Sequence, residues 1–182
     1  AGGGVLYSEA EKELSDFAKK HNIPVTPTVM GIGCMDRDDP FYIGAIGALG
    51  VGSSNNLSKD TDLALAVGTK LGDFTTGSWA NFENEDFKLV SINTTRFDVT
   101  KHRATPVISD AKVGFKELSK ALGDWRAPNI WFERAVKERT KWDSYIDKES
   151  GPTNQKLPSY AHAVGAIYRN ADPSDIVVTA AG

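Results

Sequence analysis

The stretch at residues 63–79, LALAVGTKLGDFTTGSW, constrains the fold more than any other part of this chain. Residues 63–67 are apolar without alternation, which predicts a strand buried on both faces, as in a parallel sheet covered by helices. A loop rich in glycine and threonine follows directly. Because ligands of open α/β sheets bind at the carboxyl ends of the strands, Gly68, Thr69, Lys70 and residues 75–78 are predicted to lie at the functional edge.

The rest of the chain alternates between strand and helix patterns. Further strands are predicted at 23–28, 88–92 and 105–108, and helices at 8–22, 53–60 and 110–123. The predicted N-caps are Ser8, with Glu11 completing a capping box, then Ser53 or Ser54, and Asp110; the predicted C-caps are Asn22 and Gly123. This order predicts an α/β fold of three layers, in which a mostly parallel sheet is flanked by helices.

Beyond residue 122 the pattern changes. We expect a central α/β domain at 1–122, a linker at 123–156 with a helix at about 130–147, and the beginning of a second α/β unit at 157–182. The last unit is predicted to hold a helix capped by Ser159 and then a strand at 175–179. Since both termini read as loops that flank strands, we expect a piece of a longer polypeptide.

Composition and charge exclude some classes of function. A net charge of −3 without a cluster of Lys and Arg argues against a nucleic-acid partner. The apolar runs are far shorter than the roughly 20 residues that a membrane span needs. The single cysteine, Cys34, excludes an internal disulfide framework and favours a cytoplasmic protein.

Two groups of residues suggest binding chemistry but have simpler interpretations. Gly2, Gly3 and Gly4 offer backbone N–H groups that could hold a diphosphate, yet they do not form GxGxxG, and a tight turn before a helix explains them better. The acidic residues at 36, 38 and 39 lack the glycine and glutamate of a calcium-binding loop, so an exposed acidic turn is expected. Asp73 could orient a ligand or cap the turn that follows it.

No catalytic residue and no metal site is predicted from the spacing of the reactive side chains. His21, His102 and His162 are scattered along the chain, so surface or capping roles are expected. Cys34 is expected to be a small loop residue rather than a nucleophile.

Residues 1 to about 122 resemble the central domain of thiamine-diphosphate enzymes of the acetolactate synthase and pyruvate oxidase kind. The motifs that carry this resemblance are AGGGV at 1–5, Gly31 with Gly33, the glycines at 44, 47 and 50 followed by Asn55 or Asn56, and Asp62 ahead of LALAVGTKL. Residues 158–182 resemble the start of the diphosphate-binding domain of the same superfamily.

Two segments resemble a narrower branch of this superfamily, whose hydrolases open a cyclic 1,2-diketone in the catabolism of myo-inositol. They are DFTTGSW at 73–79 and FDxxKH at 97–102, together with the ending TAAG. The resemblance implies a parent enzyme that hydrolyses a C–C bond. An acetolactate synthase-like carboligase is the alternative, although that group usually has a charged residue before its Thr-Gly.

The resemblance also implies that the catalytic machinery lies elsewhere in the parent. Such enzymes hold thiamine diphosphate and magnesium between an N-terminal pyrimidine-binding domain and a C-terminal diphosphate-binding domain, which uses a GDG motif. Here the Gly-Asp pairs at 72–73 and 123–124 both lack the third glycine. We therefore expect an inactive structural fragment that binds no cofactor, with those two domains as its partners in a homo-oligomeric parent.

Two sets of cofactor-binding positions follow from the same resemblance. Thr179, Ala180, Ala181 and Gly182 would approach the diphosphate in the parent only. Gly2, Gly3, Gly4, Gly68, Thr69 and Lys70 match positions at which some relatives bind FAD or ADP. Lys70 replaces the common arginine and cannot make its bidentate phosphate contact, so a vestigial pocket is expected, with a nucleotide-binding module as the alternative.

The resemblance places the family's first central-domain strand ahead of the glycine loop and inside the sheet, so that strand is expected to be missing here. Residues 176–182 resemble a strand followed by a glycine loop. They are predicted to fill that position, within one chain or by exchange between two.

Overall fold

The structure, a computed structural model, describes residues 1–172 and 174–178. The strands are β1 (Leu63–Val67), β2 (Lys88–Asn93) and β3 (Thr105–Ile108). The helices are α1 (Gly3–Tyr7), α2 (Glu11–His21), α3 (Gly52–Lys59), α4 (Asp73–Thr76), α5 (Arg96–Val99), α6 (Ala111–Leu122), α7 (Asn129–Glu149) and α8 (Tyr160–Asn170). By its contacts the chain divides into two compact units, Ala1–Lys141 and Trp142–Gly182.

The sheet of the first unit is parallel and has the order β1-β2-β3. Leu65 of β1 lies opposite Val90 of β2, and Val90 lies opposite Thr105 of β3. Helices connect and cover the strands, because parallel neighbours cannot be joined by a tight turn. The predicted α/β fold with a parallel sheet flanked by helices is confirmed.

The two faces of the sheet pack against different groups of side chains. Leu65 and Val67 point to the face where Phe17 of α2 and Phe115 of α6 form the main core, with ring centroids 5.4 Å apart. Ala66 points to the other face, in a cluster with Leu71 and Leu89. This alternation explains why β1 needs apolar side chains at successive positions.

Burial of β1 is less complete than the apolar run predicts. Ala66 and Val67 are buried, but Ala64 and Leu65 are half-buried and Leu63 is 53% exposed. The prediction of a strand buried on both faces is therefore wrong for its first half. The reason is that β1 is an edge strand, and its free edge borders a groove.

The N-terminal segment differs from its prediction. Residues 3–7 form the short helix α1 rather than a glycine loop, and α2 begins at Glu11 with Ala10 as its N-cap. Ser8 ends α1, and its hydroxyl donates to Asp110 102 residues further along the chain. The predicted capping box at Ser8 is therefore wrong, because a tertiary hydrogen bond takes the side chain that a local cap would have used.

Other predicted helix ends can be compared directly. The left-handed Asn22, the N-cap Asp110 and the C-cap Gly123 are confirmed. The predicted caps Ser53 and Ser54 are wrong, because α3 begins one residue earlier and both hydroxyls are buried. They donate instead to the carbonyl oxygens of Ile43 and Gly44 at 2.7 and 2.5 Å, which satisfies backbone acceptors in the glycine-rich connector.

The predicted strand at 23–28 is reduced to a single parallel bridge between Val25 and Tyr42. Pro24 and Pro27 flank that residue, and a proline has no N–H to donate to a ladder. The segment is still extended at Thr28, which leads into a 3-10 turn at Val29–Gly31.

The second unit contains the end of α7 and the whole of α8. Ser159 caps α8 as predicted, and its partner in the capping box is His162. The guanidinium of Arg169 donates to the carbonyl oxygen of Ser150 at 2.6 Å. The predicted strand at 175–179 is not formed in residues 175–178, and its last residue, together with the predicted cofactor-binding positions 179–182, lies outside the described residues. None of the described helices has the length and apolar content to cross a membrane.

Candidate functional site

A cleft of about 870 Å³ lies at the carboxyl ends of the strands. We call it the rim cleft. Its walls come from α1, from the loops after β1 and β2, and from the start of α6. The structure thus brings Gly3 and Gly4 together with Gly68, Thr69 and Lys70, at the edge of the sheet where a parallel α/β fold binds its ligands.

The glycines of the rim cleft are needed for close packing of the backbone. Gly2 N–H donates to the Val67 carbonyl oxygen at 2.8 Å, and Gly4 N–H donates to the Gly68 carbonyl oxygen at 3.0 Å. A Cβ atom on Gly2 would lie 2.3 Å from the Gly68 oxygen, and one on Gly4 would lie 2.6 Å from the Gly68 Cα. Contact between two backbones therefore explains both glycines without a ligand.

The polar groups of the loop after β1 bond mainly to one another. The Thr69 hydroxyl accepts from the Leu71 N–H at 3.2 Å, and the Asn93 side-chain amide donates to the Thr69 carbonyl oxygen at 3.2 Å. Leu71 is left-handed, with φ of 50°. The Lys70 side chain is exposed at the rim. The loop is thus a rigid turn that presents one ammonium group to the cleft.

Two carboxylates line the same cleft. The Ser8 hydroxyl donates to Asp110 Oδ2 at 2.6 Å, while Asp110 Oδ1 caps α6 by accepting from Lys112 N–H at 2.8 Å. The Ser8 hydrogen bond holds the pKa of Asp110 below its usual range, with further help from the capping N–H groups. Asp98 is paired with Lys101 at 2.8 Å.

Ser8, Asn93 and Asp98 are among the residues of the rim cleft that were not predicted as site residues from the sequence. Asn93 offered a signal, because it directly follows the strand predicted at 88–92 and polar residues at that edge of a sheet tend to face ligands. Ser8 offered a misleading signal, since its spacing to Glu11 matched a local cap. Asp98 was read only as part of a motif and not as a residue of the cleft.

His21 has neither the surface role nor the capping role that was predicted. Its ring is fully buried beneath Trp125, with Nδ1 2.7 Å from the Trp125 carbonyl oxygen and Nε2 3.0 Å from the Ser119 hydroxyl. It also packs 4.8 Å from the Phe17 ring. These partners lie about a hundred residues further along the chain, so no local pattern around His21 indicates them.

The remaining candidates have structural roles. His162 caps α8, and His102 is exposed, as predicted. Cys34 is buried, and burial raises the pKa of its thiol, which disfavours the reactive thiolate.

The acidic turn at 36–39 is exposed at Asp36 and Asp38, as predicted, but Asp39 is held within the fold. The Asp39 carboxylate is nearly buried and accepts from Phe41 N–H and the Ser15 hydroxyl, each at 3.0 Å, and from Lys19 at 3.0 Å. Burial opposes ionisation, but these donors together lower the pKa of Asp39. Asp36 accepts locally from Asp38 N–H at 2.9 Å.

The structure places the two hydrolase-like segments in contact. The Trp79 ring, at the end of DFTTGSW, lies 4.6 Å from the His102 ring, at the end of FDxxKH. Ser78, Trp79, His102 and Arg103 are all left-handed, with φ between 54° and 71°. Such backbone is unusual for residues other than glycine, so the two segments specify a shared local structure.

Comparison with known proteins agrees with this fold. The family described as thiamine pyrophosphate enzyme, central domain, matches residues 1–118. The chain belongs to this family.

Proteins named 3D-(3,5/4)-trihydroxycyclohexane-1,2-dione hydrolase are among the relatives of this central domain. The protein of Geobacillus thermodenitrificans is 34% identical over 177 residues, which covers 91% of this chain and 27% of the relative. The protein of Clostridium botulinum is 43% identical over 121 residues, which covers 66% of this chain and 19% of the relative. The protein of Bacillus anthracis is 29% identical over 205 residues, which covers 100% of this chain and 32% of the relative. The chain thus spans less than a third of the length of these relatives.

The described residues of this thiamine pyrophosphate enzyme central domain do not fit the family's cofactor. Asp73 is an exposed residue at the start of α4, and Asp124 is an exposed residue just after α6. Within residues 1–172 and 174–178, no group of three His, Cys, Asp or Glu side chains is arranged to hold a metal ion. A magnesium diphosphate needs oxygen ligands that converge on the metal, which these separated carboxylates do not provide.

Proposed function

We propose that this chain is the central domain of a thiamine-diphosphate-dependent hydrolase that opens trihydroxycyclohexane-1,2-dione by cleaving a C–C bond. The observation that carries the proposal is the likeness to proteins of that name, which in Geobacillus thermodenitrificans extends over 91% of this chain. The contact between Trp79 and His102 supports it, because it joins the two segments on which the hydrolase resemblance depends. An acetolactate synthase-like carboligase accounts for neither observation as directly.

Within that parent we propose a structural role for the chain itself. The glycines of the rim cleft are explained by backbone contact, and its two carboxylates are engaged by Ser8 and Lys101. We further propose that the parent is a cytoplasmic homo-oligomer of inositol catabolism. Its pyrimidine-binding and diphosphate-binding domains would hold thiamine diphosphate and magnesium.

Calorimetric titration of thiamine diphosphate with magnesium into the 182-residue chain tests the structural role. We expect no heat of binding from the chain, and ring opening of trihydroxycyclohexane-1,2-dione from a longer polypeptide that contains it. Saturable binding of thiamine diphosphate to the chain alone would contradict the structural role. A longer polypeptide that is folded and loaded with cofactor but condenses pyruvate instead would contradict the hydrolase assignment.

A second candidate function is a nucleotide-binding module in the rim cleft. It is favoured by the size of the cleft, about 870 Å³, and by the exposed Lys70 on the loop after β1. The two carboxylates of the cleft oppose it, since they repel a diphosphate. Thermal unfolding in the presence of FAD, ADP or NAD tests nucleotide binding to the rim cleft. Lys70→Ala is the site variant, and Lys120→Ala is the matched control. A rise in Tm that Lys70→Ala abolishes and Lys120→Ala retains would establish this function.

A further inference from the structure

A pocket of about 500 Å³ lies where the three strands begin, at the opposite end of the sheet from the rim cleft. We call it the strand-start pocket. Leu63, Lys88 and Thr105, the first residues of β1, β2 and β3, line it together. Further walls come from the segment between α4 and β2 and from the turn that precedes β3. The pocket is therefore separate from the rim cleft, and its binding chemistry does not rest on the function proposed above.

Three planar rings, those of Trp79, Phe87 and His102, line the pocket. The ring centroids of Trp79 and His102 are 4.6 Å apart, and the Phe82 ring lies between Trp79 and Phe87, at 5.8 and 4.7 Å from them. Trp79 and Phe87 are half-buried and His102 is exposed, so each of the three keeps surface that can contact a ligand. Stacking on another aromatic ring is favourable for such surfaces. The pocket therefore suits a ligand with a flat, apolar body.

The charged residues that line the pocket, Lys88 and Arg103, are both cationic and exposed. Among the residues that the structure describes, no Asp or Glu lines the pocket, and neither cation has an ion-pair partner. The rim cleft differs, because Asp98 and Asp110 line it together with Lys70. Two such cations beside flat rings favour an anionic ligand, and a guanidinium can bind a phosphate through two parallel hydrogen bonds.

The backbone at two sides of the pocket is held in an unfavourable conformation. Ser78 and Trp79 are consecutive left-handed residues, with φ of 54° and 71°, and so are His102 and Arg103, with φ of 60° and 57°. Glycine adopts this conformation without steric conflict. Three of the four residues line the pocket, and His102 and Arg103 are exposed, so burial of their side chains does not offset the strain. Strain of this kind is concentrated at binding sites, which indicates that these side chains are positioned to contact a ligand.

We propose that the strand-start pocket binds a small molecule in which a planar aromatic ring carries a phosphate group. The ring of the ligand packs against the aromatic wall formed by Trp79, Phe87 and His102. Its phosphate accepts hydrogen bonds from the guanidinium of Arg103 and the ammonium of Lys88. A pocket of about 500 Å³ has room for both parts of such a ligand.

Titration of the isotope-labelled 182-residue chain with phenyl phosphate, followed by NMR, tests the proposal. We expect saturable shifts of the backbone amides of Trp79, Lys88 and Arg103 and of the Trp79 indole N–H. We expect no shift of the Lys70 amide, which lies at the rim cleft. Inorganic phosphate lacks the ring and benzyl alcohol lacks the charge, so each is expected to bind at least roughly tenfold more weakly than phenyl phosphate.

Three variants separate this site from unspecific attraction to a cation. Arg103→Gln is expected to weaken the binding of phenyl phosphate roughly tenfold, because it removes a charged hydrogen bond. Arg126→Gln is the matched control, since Arg126 is exposed and lies outside the pocket, and it is expected to leave the Kd unchanged. His102→Asn removes one ring but keeps a residue that tolerates left-handed backbone, so it is expected to weaken binding in a chain that stays folded.

Thermal unfolding without ligand establishes that each variant is folded before its Kd is compared. The proposal is overturned if phenyl phosphate causes no saturable shift in the natural chain, or if the shifts centre on Lys70. It is also overturned if inorganic phosphate or benzyl alcohol binds as tightly as phenyl phosphate, or if folded Arg103→Gln and His102→Asn both keep the Kd of Arg126→Gln. None of these results depends on the reaction of the parent enzyme, so a failure here leaves the proposed function untouched.

Discussion

The Ser8 hydroxyl lies 2.6 Å from Asp110 Oδ2 and joins the end of α1 to the start of α6 across the rim cleft. The same carboxylate caps α6 through its other oxygen. One side chain therefore holds together two elements that are a hundred residues apart and both line the cleft. Its loss is expected to affect the unfolding equilibrium and the geometry of the cleft together.

Asp110→Ala is expected to lower the free energy of unfolding by about 1–2 kcal/mol, because it removes an N-cap and leaves the Ser8 hydroxyl without its acceptor. Denaturant unfolding measures this change. Ser8→Ala and the double variant complete a mutant cycle, in which a non-zero coupling energy is expected. Asp124→Ala, at an exposed aspartate, serves as the control, and an equal loss there would refute the capping explanation.

The pH dependence of stability follows from the lowered pKa of Asp110, whose first cause is the Ser8 hydrogen bond. A carboxyl with a lower pKa in the folded state stabilises the fold fully above its ordinary pKa of about 3.9 and loses that effect as pH falls through the folded pKa. The difference in unfolding free energy between the natural chain and Asp110→Asn is thus expected to shrink between neutral and acid pH. A difference in unfolding free energy that stays constant across that pH range would contradict the lowered pKa of Asp110.

Gly4→Ala is expected to lower the free energy of unfolding by about 2–4 kcal/mol, because its Cβ would meet backbone that cannot move aside cheaply. That atom would lie 2.6 Å from the Gly68 Cα. Gly72→Ala is a matched control in the same cleft, since nothing lies within 4 Å of its added Cβ. Both variants are compared by thermal unfolding without any ligand. Similar Tm values would show that Gly4 is needed for something other than packing.

His21→Ala is expected to lower the free energy of unfolding by about 2–4 kcal/mol, since it opens a cavity and removes a partner of a half-buried hydroxyl. That hydroxyl is on Ser119, and the Trp125 carbonyl oxygen loses its partner as well. His102→Ala is the control, because His102 is exposed. Chemical denaturation of both variants gives the comparison, and a small effect at His21 would contradict the buried hydrogen bonds.

Arg139→Met is expected to lower the free energy of unfolding by about 2–3 kcal/mol, because charged hydrogen bonds to carbonyls are stronger than neutral ones. The guanidinium donates to the carbonyl oxygens of Asp39, Tyr42 and Arg37, at 2.9, 2.7 and 2.6 Å. Arg134→Met removes a half-exposed ion pair with Asp60 and a cation–π contact with the Trp131 ring, and it is expected to cost less than about 1 kcal/mol. If the two variants were equally stable, the hydrogen bonds from Arg139 to the three carbonyl oxygens would not contribute more to stability than the exposed ion pair does.

The strands and the longer helices could be predicted because their signals are local. Residues 63–67 are apolar and end at a glycine, and Asp110 and Gly123 bracket a helix whose apolar residues recur every three or four positions. The site was harder to predict. Gly2, Gly4 and Gly68 were predicted to lie at the functional edge of the sheet. The sequence could not show whether a ligand or another backbone segment required them, because close approach of either one selects glycine.

The errors share a physical cause, which is competition from distant partners. Ser8 matches a local cap and bonds to Asp110 instead, and Ser53 donates to Ile43 rather than to its own helix. His21 reads as a helix end and is buried by residues 98–104 positions away. The spacing of apolar and capping residues depends on neighbours along the chain, so it does not indicate these tertiary contacts.

The contact of Gly2 and Gly4 with Gly68 has a consequence for how such domains diverge. A methyl group on any of these glycines collides with the backbone opposite, so substitution is penalised whether or not a ligand ever enters the cleft. Lineages that lose a nucleotide would therefore keep the glycines, and lineages that gain one would start with them already in place. The glycine signature therefore follows from the backbone architecture and does not by itself indicate a bound nucleotide.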